Sequence, residues 1–189
     1  MYFMMMCQTP RGAKSALTSY APDNMPDGFP RDWAEGRRFA SPPSTPVRVD
    51  VEQGESGILL EMMTGAIPLM SRRLADVLSR SGVANIEFYD AAIHDLESGA
   101  VHTGHVAFNI VGAIAAADLG KSVFDDSEGS LIAVDFDSLT IDATKTRGAL
   151  VFRLAESING IAVHERIVDA IEEAGIDSLT FLPPEDWVG

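Results

Sequence analysis

One pattern occurs twice in the chain and limits the folds that the chain can adopt. Residues 71–89 and 164–182 align without a gap. Four aligned pairs are identical: Arg73 with Arg166, Asp76 with Asp169, Gly82 with Gly175, and Phe88 with Phe181. In each copy, apolar residues at helical spacing lead to a glycine, and an alternating, strand-like stretch follows. The repeat predicts a helix–turn–strand unit that is used twice in an α+β domain.

The residue that precedes each predicted helix is a candidate N-cap. Ser71 is a good N-cap for a helix over residues 72–81, and His164 occupies the matching position before a helix over residues 165–174. Glu165 lies in the first turn, where the helix dipole favours a carboxylate. A His beside a Glu is also typical of a catalytic pair. The alignment of His164 with an N-cap favours the structural interpretation.

The N-terminal part of the chain differs in composition from the rest. Prolines recur from Pro22 to Pro46, and they exclude long helices and central strands there. Three aromatic side chains in this part, Phe29, Trp33 and Phe39, are expected to dock on the core. We expect a Pro-rich, partly ordered arm over residues 1–57, with an edge strand at residues 46–51.

Residues 58–189 are expected to form a single α+β domain with a mixed or antiparallel sheet. Residues 130–141 and 148–154 alternate as strands do, and a polar turn between them predicts that they are joined as a pair. Residues 104–117 begin as a strand and continue as a run of small residues that fits either a helix or a strand.

The charge of the chain is strongly negative and unevenly distributed. The net charge is −14; residues 1–48 hold six basic and four acidic residues, and residues 49–189 hold eight basic and 24 acidic residues. Such a field disfavours nucleic acid and anionic membranes and favours a partner with a basic surface, although solubility alone explains it equally well. The candidate partner-binding residues are Asp125, Asp126, Glu128, Asp135, Asp137, Asp169, Glu172 and Glu173.

The cysteine content and hydropathy predict a location. Cys7 is the only cysteine, which excludes an intrachain disulfide and favours a reducing, cytoplasmic setting. No run approaches the roughly 18 apolar residues of a membrane-spanning helix. The N-terminus has no positive charge before its apolar residues, so a secretory signal is not expected.

Two motifs resemble a phosphate-binding loop and a metal site, but both favour a structural interpretation. The stretch "AAADLGKS" (115–122) ends like a phosphate-binding loop, but Ala115 replaces the glycine that the loop needs. His102 and His105, with His94, Asp95 and Glu97 nearby, invite a metal site, yet a solvated hairpin turn is the favoured interpretation. We predict no catalytic residue, no metal and no cofactor.

Several stretches together resemble a known family. They are "DWAEGRRF" (32–39), "IPLMSRRLADVL" (67–78), "GVANIEFY" (82–89), "FNIVGAIAAAD" (108–118), "LVFRLAE" (150–156) and "IAVHERIVDAIEEAGIDSLTFLPPE" (161–185). The chain resembles immunity protein family eleven of bacterial polymorphic-toxin loci, formerly a domain of unknown function. Members typically have Ser where His164 stands and Leu where Ile167 stands. The resemblance implies a non-enzymatic protein that protects the producing cell by occupying a cognate toxin.

Three hypotheses follow. The first is a toxin-neutralising binding protein that uses its acidic surface. The second is a small metal-binding or ligand-binding protein, or an enzyme, that uses the hairpin of His102 and His105. The third is a scaffold in a multi-protein assembly, with the Pro-rich arm as a tether. The first ranks highest because of the resemblance and the charge.

Overall fold

The computed structural model describes residues 1–8, 18–20, 25–52, 59–125 and 134–189. Its strands are β1 (Tyr2–Cys7), β2 (Thr18–Tyr20), β3 (Val47–Glu52), β4 (Met62–Met63), β5 (Leu69–Ser71), β6 (Ile86–Asp95), β7 (Val101–His102), β8 (His105–Ile110), β9 (Ala113–Ile114), β10 (Val123–Asp125), β11 (Asp135–Ser138), β12 (Val151–Leu154), β13 (Ile161–His164) and β14 (Leu179–Leu182). The helices are α1 (Arg72–Arg80) and α2 (Glu165–Glu173), and a short 3-10 helix covers Pro184–Asp186.

The strands form two larger sheets and one hairpin. The strand order is β14-β1-β13-β12-β9 in one sheet and β2-β3-β6-β8-β5-β4 in the other, with β7 paired to β6. The pairs β3–β6 and β9–β12 are parallel, and the other pairs in the two sheets are antiparallel. Among the described strands, β10 and β11 pair with each other and with no other strand. The predicted α+β class with a mixed sheet is confirmed.

The helix–turn–strand unit occurs twice, as the repeat predicts. The Ser71 hydroxyl accepts a hydrogen bond from the Leu74 N–H at 3.0 Å, and Nδ1 of His164 accepts one from the Arg166 N–H at 3.2 Å. Each helix is followed by a glycine with a positive φ, +88° at Gly82 and +68° at Gly175. Glycine adopts this left-handed conformation without the steric cost of a Cβ. Strands β6 and β14 then follow.

The correspondence extends to four strands around each helix. We call β4, β5, α1, β6 and β8 the first half, and β12, β13, α2, β14 and β1 the second half. The first half has the order β6-β8-β5-β4, and the second has the matching order β14-β1-β13-β12. The register also matches, since Phe88 lies opposite Phe108 on β8 as Phe181 lies opposite Met5 on β1. The first residue of each helix donates its N–H to the residue before the central strand, Arg72 to Gly104 and Glu165 to Met1, both at 2.9 Å. The N-terminal strand thus completes the C-terminal half.

The two halves are joined through their helices. A guanidinium group of Arg73 on α1 donates to the carbonyl of Ala174, which follows α2. Arg166 on α2 donates in return to the carbonyl of Ser81, which follows α1, at 2.6 Å. Carbonyl groups at a helix C-terminus lack intrahelical donors and carry partial negative charge. Each arginine therefore supplies a positively charged donor to one such carbonyl of the other helix.

Three apolar clusters form the core. In the first cluster, the buried sides of α1 and α2 pack on one face of the strands of both halves. Val163 of β13 belongs to this cluster. The second lies under residues 25–40, where Trp33 is 2% exposed and contacts Phe29 and Phe39. The third lies on the other face of the five-stranded sheet, where Ala162 packs towards Phe136 of β11. The predicted docking of the N-terminal aromatic residues is confirmed.

Two local predictions differ from the structure. Strand β11 pairs with β10 and strand β12 with β13 and β9, so the predicted pairing of residues 130–141 with 148–154 is wrong; residues 130–133 lie outside the described residues. The predicted edge strand at 46–51 forms, but β3 lies between β2 and β6. The division between residues 57 and 58 stays a prediction, and β1 and β3 pair with strands on the far side of it.

Candidate partner-binding surface

Helix α2 presents an acidic face to solvent. Its apolar positions, spaced by three and four residues, turn Ile167, Val168 and Ile171 into the core. Asp169, Glu172 and Glu173 are consequently exposed, and we call them the α2 acidic face. Within the described ranges none of the three forms an ion pair. The only basic residue of α2, Arg166, donates to the Ser81 carbonyl.

Helix α1 lacks this acidic face, because the residues at the equivalent positions, Asp76, Ser79 and Arg80, carry no net charge. Its exposed residues include Arg72, Arg73 and Arg80 against a single acid, Asp76. Arg72 pairs with Asp90 at 2.7 Å, and Arg73 lies 3.4 Å from Glu61. The two helices therefore share a fold but differ in surface charge. Of the two described helices, only α2 has an acidic face.

A second acidic group lies on the β10–β11 hairpin. Asp135 and Asp137 are exposed on one side of β11, while Phe136 between them is buried, as strand alternation requires. Asp125 is exposed and lies directly opposite Asp135 in the pairing of β10 with β11. The other two candidates, Asp126 and Glu128, lie outside the described residues.

The α2 acidic face and the hairpin acids do not form one continuous surface. The helices cover the face of the five-stranded sheet to which Val163 contributes. The hairpin covers the face to which the adjacent residue Ala162 contributes. Because neighbouring strand residues point to opposite faces, the sheet separates the two acidic groups.

The prediction of a solvated turn at His102 and His105 is wrong, because β7 and β8 both pair with β6 and the chain turns at residues 96–100. His105 is buried, and its Nε2 is 2.9 Å from the Leu60 carbonyl oxygen. Burial lowers the pKa of His105. Asp95 accepts hydrogen bonds from the N–H groups of Glu97 and Ser98 and so closes the turn after β6. In the part of the chain that the structure describes, no three His, Cys, Asp or Glu residues are arranged to hold a metal ion.

The stretch that resembles a phosphate-binding loop forms a compact turn. The Lys121 ammonium lies 2.6 Å from the Asp118 carboxylate. The Ser122 hydroxyl donates to the Asp118 carbonyl at 2.9 Å. Both residues that would bind a phosphate are thus engaged by Asp118.

Two buried charged residues were not found by sequence reasoning. Arg153 on β12 and Glu156 just after it are 5% and 7% exposed. Glu156 accepts a hydrogen bond from the Ala117 N–H at 3.2 Å, and burial raises its pKa. Arg153 lies in the strand-like stretch 148–154, and Glu156 lies two residues after it. A single sequence does not show whether a charged side chain at these positions points into the core.

The comparisons with known proteins identify the family. The family model described as Immunity protein family (Imm11) matches residues 8–186. The chain belongs to this family. No curated protein matches the chain. The Imm11 match covers residues 25–40 and both halves except β1, and it confirms the resemblance found in the sequence. Immunity protein families are generally non-enzymatic, so membership of Imm11 supports protein binding as the class of function.

No helix among the described residues is long and apolar enough to cross a membrane. Both α1 and α2 of this Imm11 member have nine residues.

Proposed function

We propose that the chain neutralises a cognate bacterial toxin by direct association and has no catalytic activity of its own. The observation that carries this proposal is the Imm11 match, which covers residues 8–186. The toxin presents a basic surface, and the complex forms in the cytoplasm. A net charge of −14 supports the complementary charge of the partner.

The α2 acidic face is the first contact site in this proposal. Its three carboxylates are exposed and have no basic neighbour within ion-pair distance among the described residues. The helix is also fixed at both ends, by the His164 cap and by the Arg73 contact to Ala174. A rigid, uncompensated acidic face attracts a basic partner and speeds the encounter.

The hairpin acids are a second candidate contact. Asp135 and Asp137 lie on the other face of the five-stranded sheet, so a partner that binds both groups must reach around the edge of this sheet. A compact partner touches one group only. Variants of the two groups therefore report which face the toxin covers.

The first experiment tests binding and protection. The product of the neighbouring toxin gene is expressed with and without this chain, and the two proteins are purified together at low salt. We expect a stable complex and survival of cells that make both proteins. Cells that die equally in both cases, with no complex in the purification, would refute the proposal.

The second experiment locates the contact. The triple variant Asp169→Asn, Glu172→Gln and Glu173→Gln is compared with the double variant Asp135→Asn and Asp137→Asn. The control is Asp27→Asn with Asp32→Asn, two exposed acids of the N-terminal part. We expect the α2 variant to slow association at least tenfold at low salt relative to the control, because charges close to the contact contribute most to the steering of a partner. Equal rates for the α2 variant and the control would exclude the α2 acidic face.

A further inference from the structure

Arg153 is a buried cation without an acidic partner. Only 5% of the residue is exposed, and no carboxylate in the described part of the chain pairs with it. Nη1 donates to the Ile158 carbonyl at 2.8 Å, and Nη2 lies 3.5 Å from the Trp33 carbonyl oxygen. The buried Nε has no hydrogen-bond partner. Burial lowers the pKa of Arg153 to about 10, so the guanidinium stays charged at pH 7.

Burying such a charge is costly unless something compensates it. A buried ion loses its hydration, and natural proteins pair it or coordinate it. Two carbonyl contacts satisfy part of the guanidinium but supply no negative charge. Arginine has five donors, arranged to hold two oxygens of one carboxylate or phosphate at once. An anion is therefore the group that this site lacks.

Arg153 lines a cavity of about 400 Å³ that has room for such a group. Arg31 and Asn159 also line it, together with Trp33 and the turn at residues 64–66. No acidic residue is among the described residues that line the cavity. Arg31 forms no ion pair with any residue that the structure describes. Two arginines without an acidic partner among the described residues, Arg153 and Arg31, thus line the same cavity as Asn159.

The position of the cavity shows that it is built into the fold. The β4–β5 connection contributes residues 64–66, and the equivalent β12–β13 connection of the other half contributes Asn159. The N-terminal part closes the third side with Arg31 and Trp33, and it is held there by the Gly112 N–H, which donates to the Gly36 carbonyl at 2.7 Å. Three separate parts of the chain therefore meet at this cation.

We propose that this cavity is an anion-binding site for a small oxyanion, a carboxylate or a phosphate, held by Arg153 with Arg31 and Asn159. The overall charge of −14 does not concentrate anions at the surface, so the affinity comes from these local donors. The oxyanion is either a free ion or a carboxylate presented by a binding partner. The site is independent of the α2 acidic face.

The test measures anion binding by the purified protein alone, so its outcome does not depend on any toxin. The melting temperature is followed at pH 7 as sodium phosphate or sodium acetate replaces sodium chloride at constant ionic strength. We expect a saturable rise with at least one oxyanion, because a ligand that binds only the folded state stabilises it. Phosphate alone indicates a free tetrahedral ion, and acetate indicates a carboxylate. A flat response to both would overturn the proposal.

Variants assign the binding to the cavity. Arg31→Ala changes an exposed side chain, so we expect the fold to persist and the apparent affinity for the oxyanion to fall at least tenfold. Arg153→Met keeps a similar volume and should abolish the saturable rise. The control Arg80→Ala removes an exposed arginine outside the cavity and should leave it unchanged. If Arg31→Ala and Arg80→Ala bind the oxyanion equally well, the cavity is not the site.

Discussion

At the scale of single residues, the clearest feature is the reciprocal contact of two arginines with the opposite helix. The alignment of Arg73 with Arg166 is visible in the sequence, but their role is not. Each guanidinium reaches a carbonyl in the other half of the chain, at Ala174 and at Ser81. A single sequence reveals spacing within an element, whereas contacts between elements depend on how the halves pack.

The two arginines should contribute similarly to stability. We expect Arg73→Ala and Arg166→Ala each to lower the free energy of unfolding by about 1 kcal/mol, because each removes a charge-assisted hydrogen bond at a helix C-terminus. Urea denaturation measures this. Arg37→Ala serves as the control, since its side chain is 82% exposed and its contact to Glu35 is 3.7 Å long. A loss at only one of the two positions would contradict the reciprocal arrangement.

The buried carboxyl of Glu156 predicts a pH dependence of stability. Burial raises the pKa of Glu156 above its ordinary value of 4.5, so the folded state holds this proton more tightly than the unfolded state. The resulting stabilisation is complete below the unfolded pKa and is lost as the pH rises through the folded pKa. Glu156→Gln stays neutral, so its free energy of unfolding should rise relative to the natural protein between pH 4 and pH 7.

Denaturant titrations at several pH values between 4 and 7 test this expectation. The control is Glu185→Gln, which makes the same substitution at an exposed position. A difference between Glu156→Gln and the natural protein that does not change with pH would show that Glu156 ionises in the folded state as readily as in the unfolded chain.

At the scale of elements, the sequence predicted the two helices well and the strand pairing poorly. The bounds 72–81 and 165–174 lie within one residue of α1 and α2, because caps, spacing and the terminating glycine are local signals. The pairing of β11 with β10 depends on partners far apart in the chain. Strand β1 was missed because both of its faces are covered, so its sequence YFMMMC lacks the alternation of a half-buried strand.

The glycines that end the helices should be needed equally in the two halves. Gly82→Ala and Gly175→Ala each place a Cβ on a residue with positive φ, and in both cases a guanidinium nitrogen lies 3.4 Å from that Cβ. We expect a loss of about 1–2 kcal/mol from each substitution. Gly104→Ala is the control, since it meets nothing within 4 Å and has no positive φ. Thermal unfolding ranks the three variants, and an equal effect of Gly104→Ala would exclude this cause.

Strand β1 should be an essential element although it lies in the predicted arm. Met4 is fully buried, whereas Met6 is 40% exposed. We expect Met4→Ala to cost about 2–5 kcal/mol, the usual range for a buried methionine, and Met6→Ala less than about 1 kcal/mol. The same argument predicts that residues 58–189 do not fold without β1. A folded fragment by circular dichroism and cooperative unfolding would contradict it.

At the scale of the whole molecule, the fold contains two matching halves whose boundaries do not follow the chain ends. Strand β8 follows β6 along the chain, but its counterpart β1 lies at the N-terminus, far from β14. The short repeat predicted the shared helix–turn–strand unit. It could not predict that the N-terminal strand β1 completes the second half by pairing between β13 and β14. The candidate acids were visible in the sequence as charges, and their separation by a sheet was not.

The matching halves predict that a circular permutant folds. The permutant joins Gly189 to Met1 through a Gly/Ser linker of about eight residues and opens the chain between Gly54 and Glu55, between β3 and β4. Strand β1 then follows β14 as β8 follows β6, and every strand pair of the two sheets is kept. We expect circular dichroism like that of the natural protein and unfolding as a single cooperative transition.

The control permutant carries the same linker and opens the chain between Phe108 and Asn109, inside the fully buried strand β8. It breaks the strand that holds β5 and β6 together, so it should not fold. If both permutants fold equally, chain continuity within the central strands is not what the fold requires. If neither folds, the connection from β3 to β4 matters, and the two halves do not complete one another by strand pairing alone. A folded first permutant beside an unfolded control is the outcome that the matched registers of β1 and β8 require.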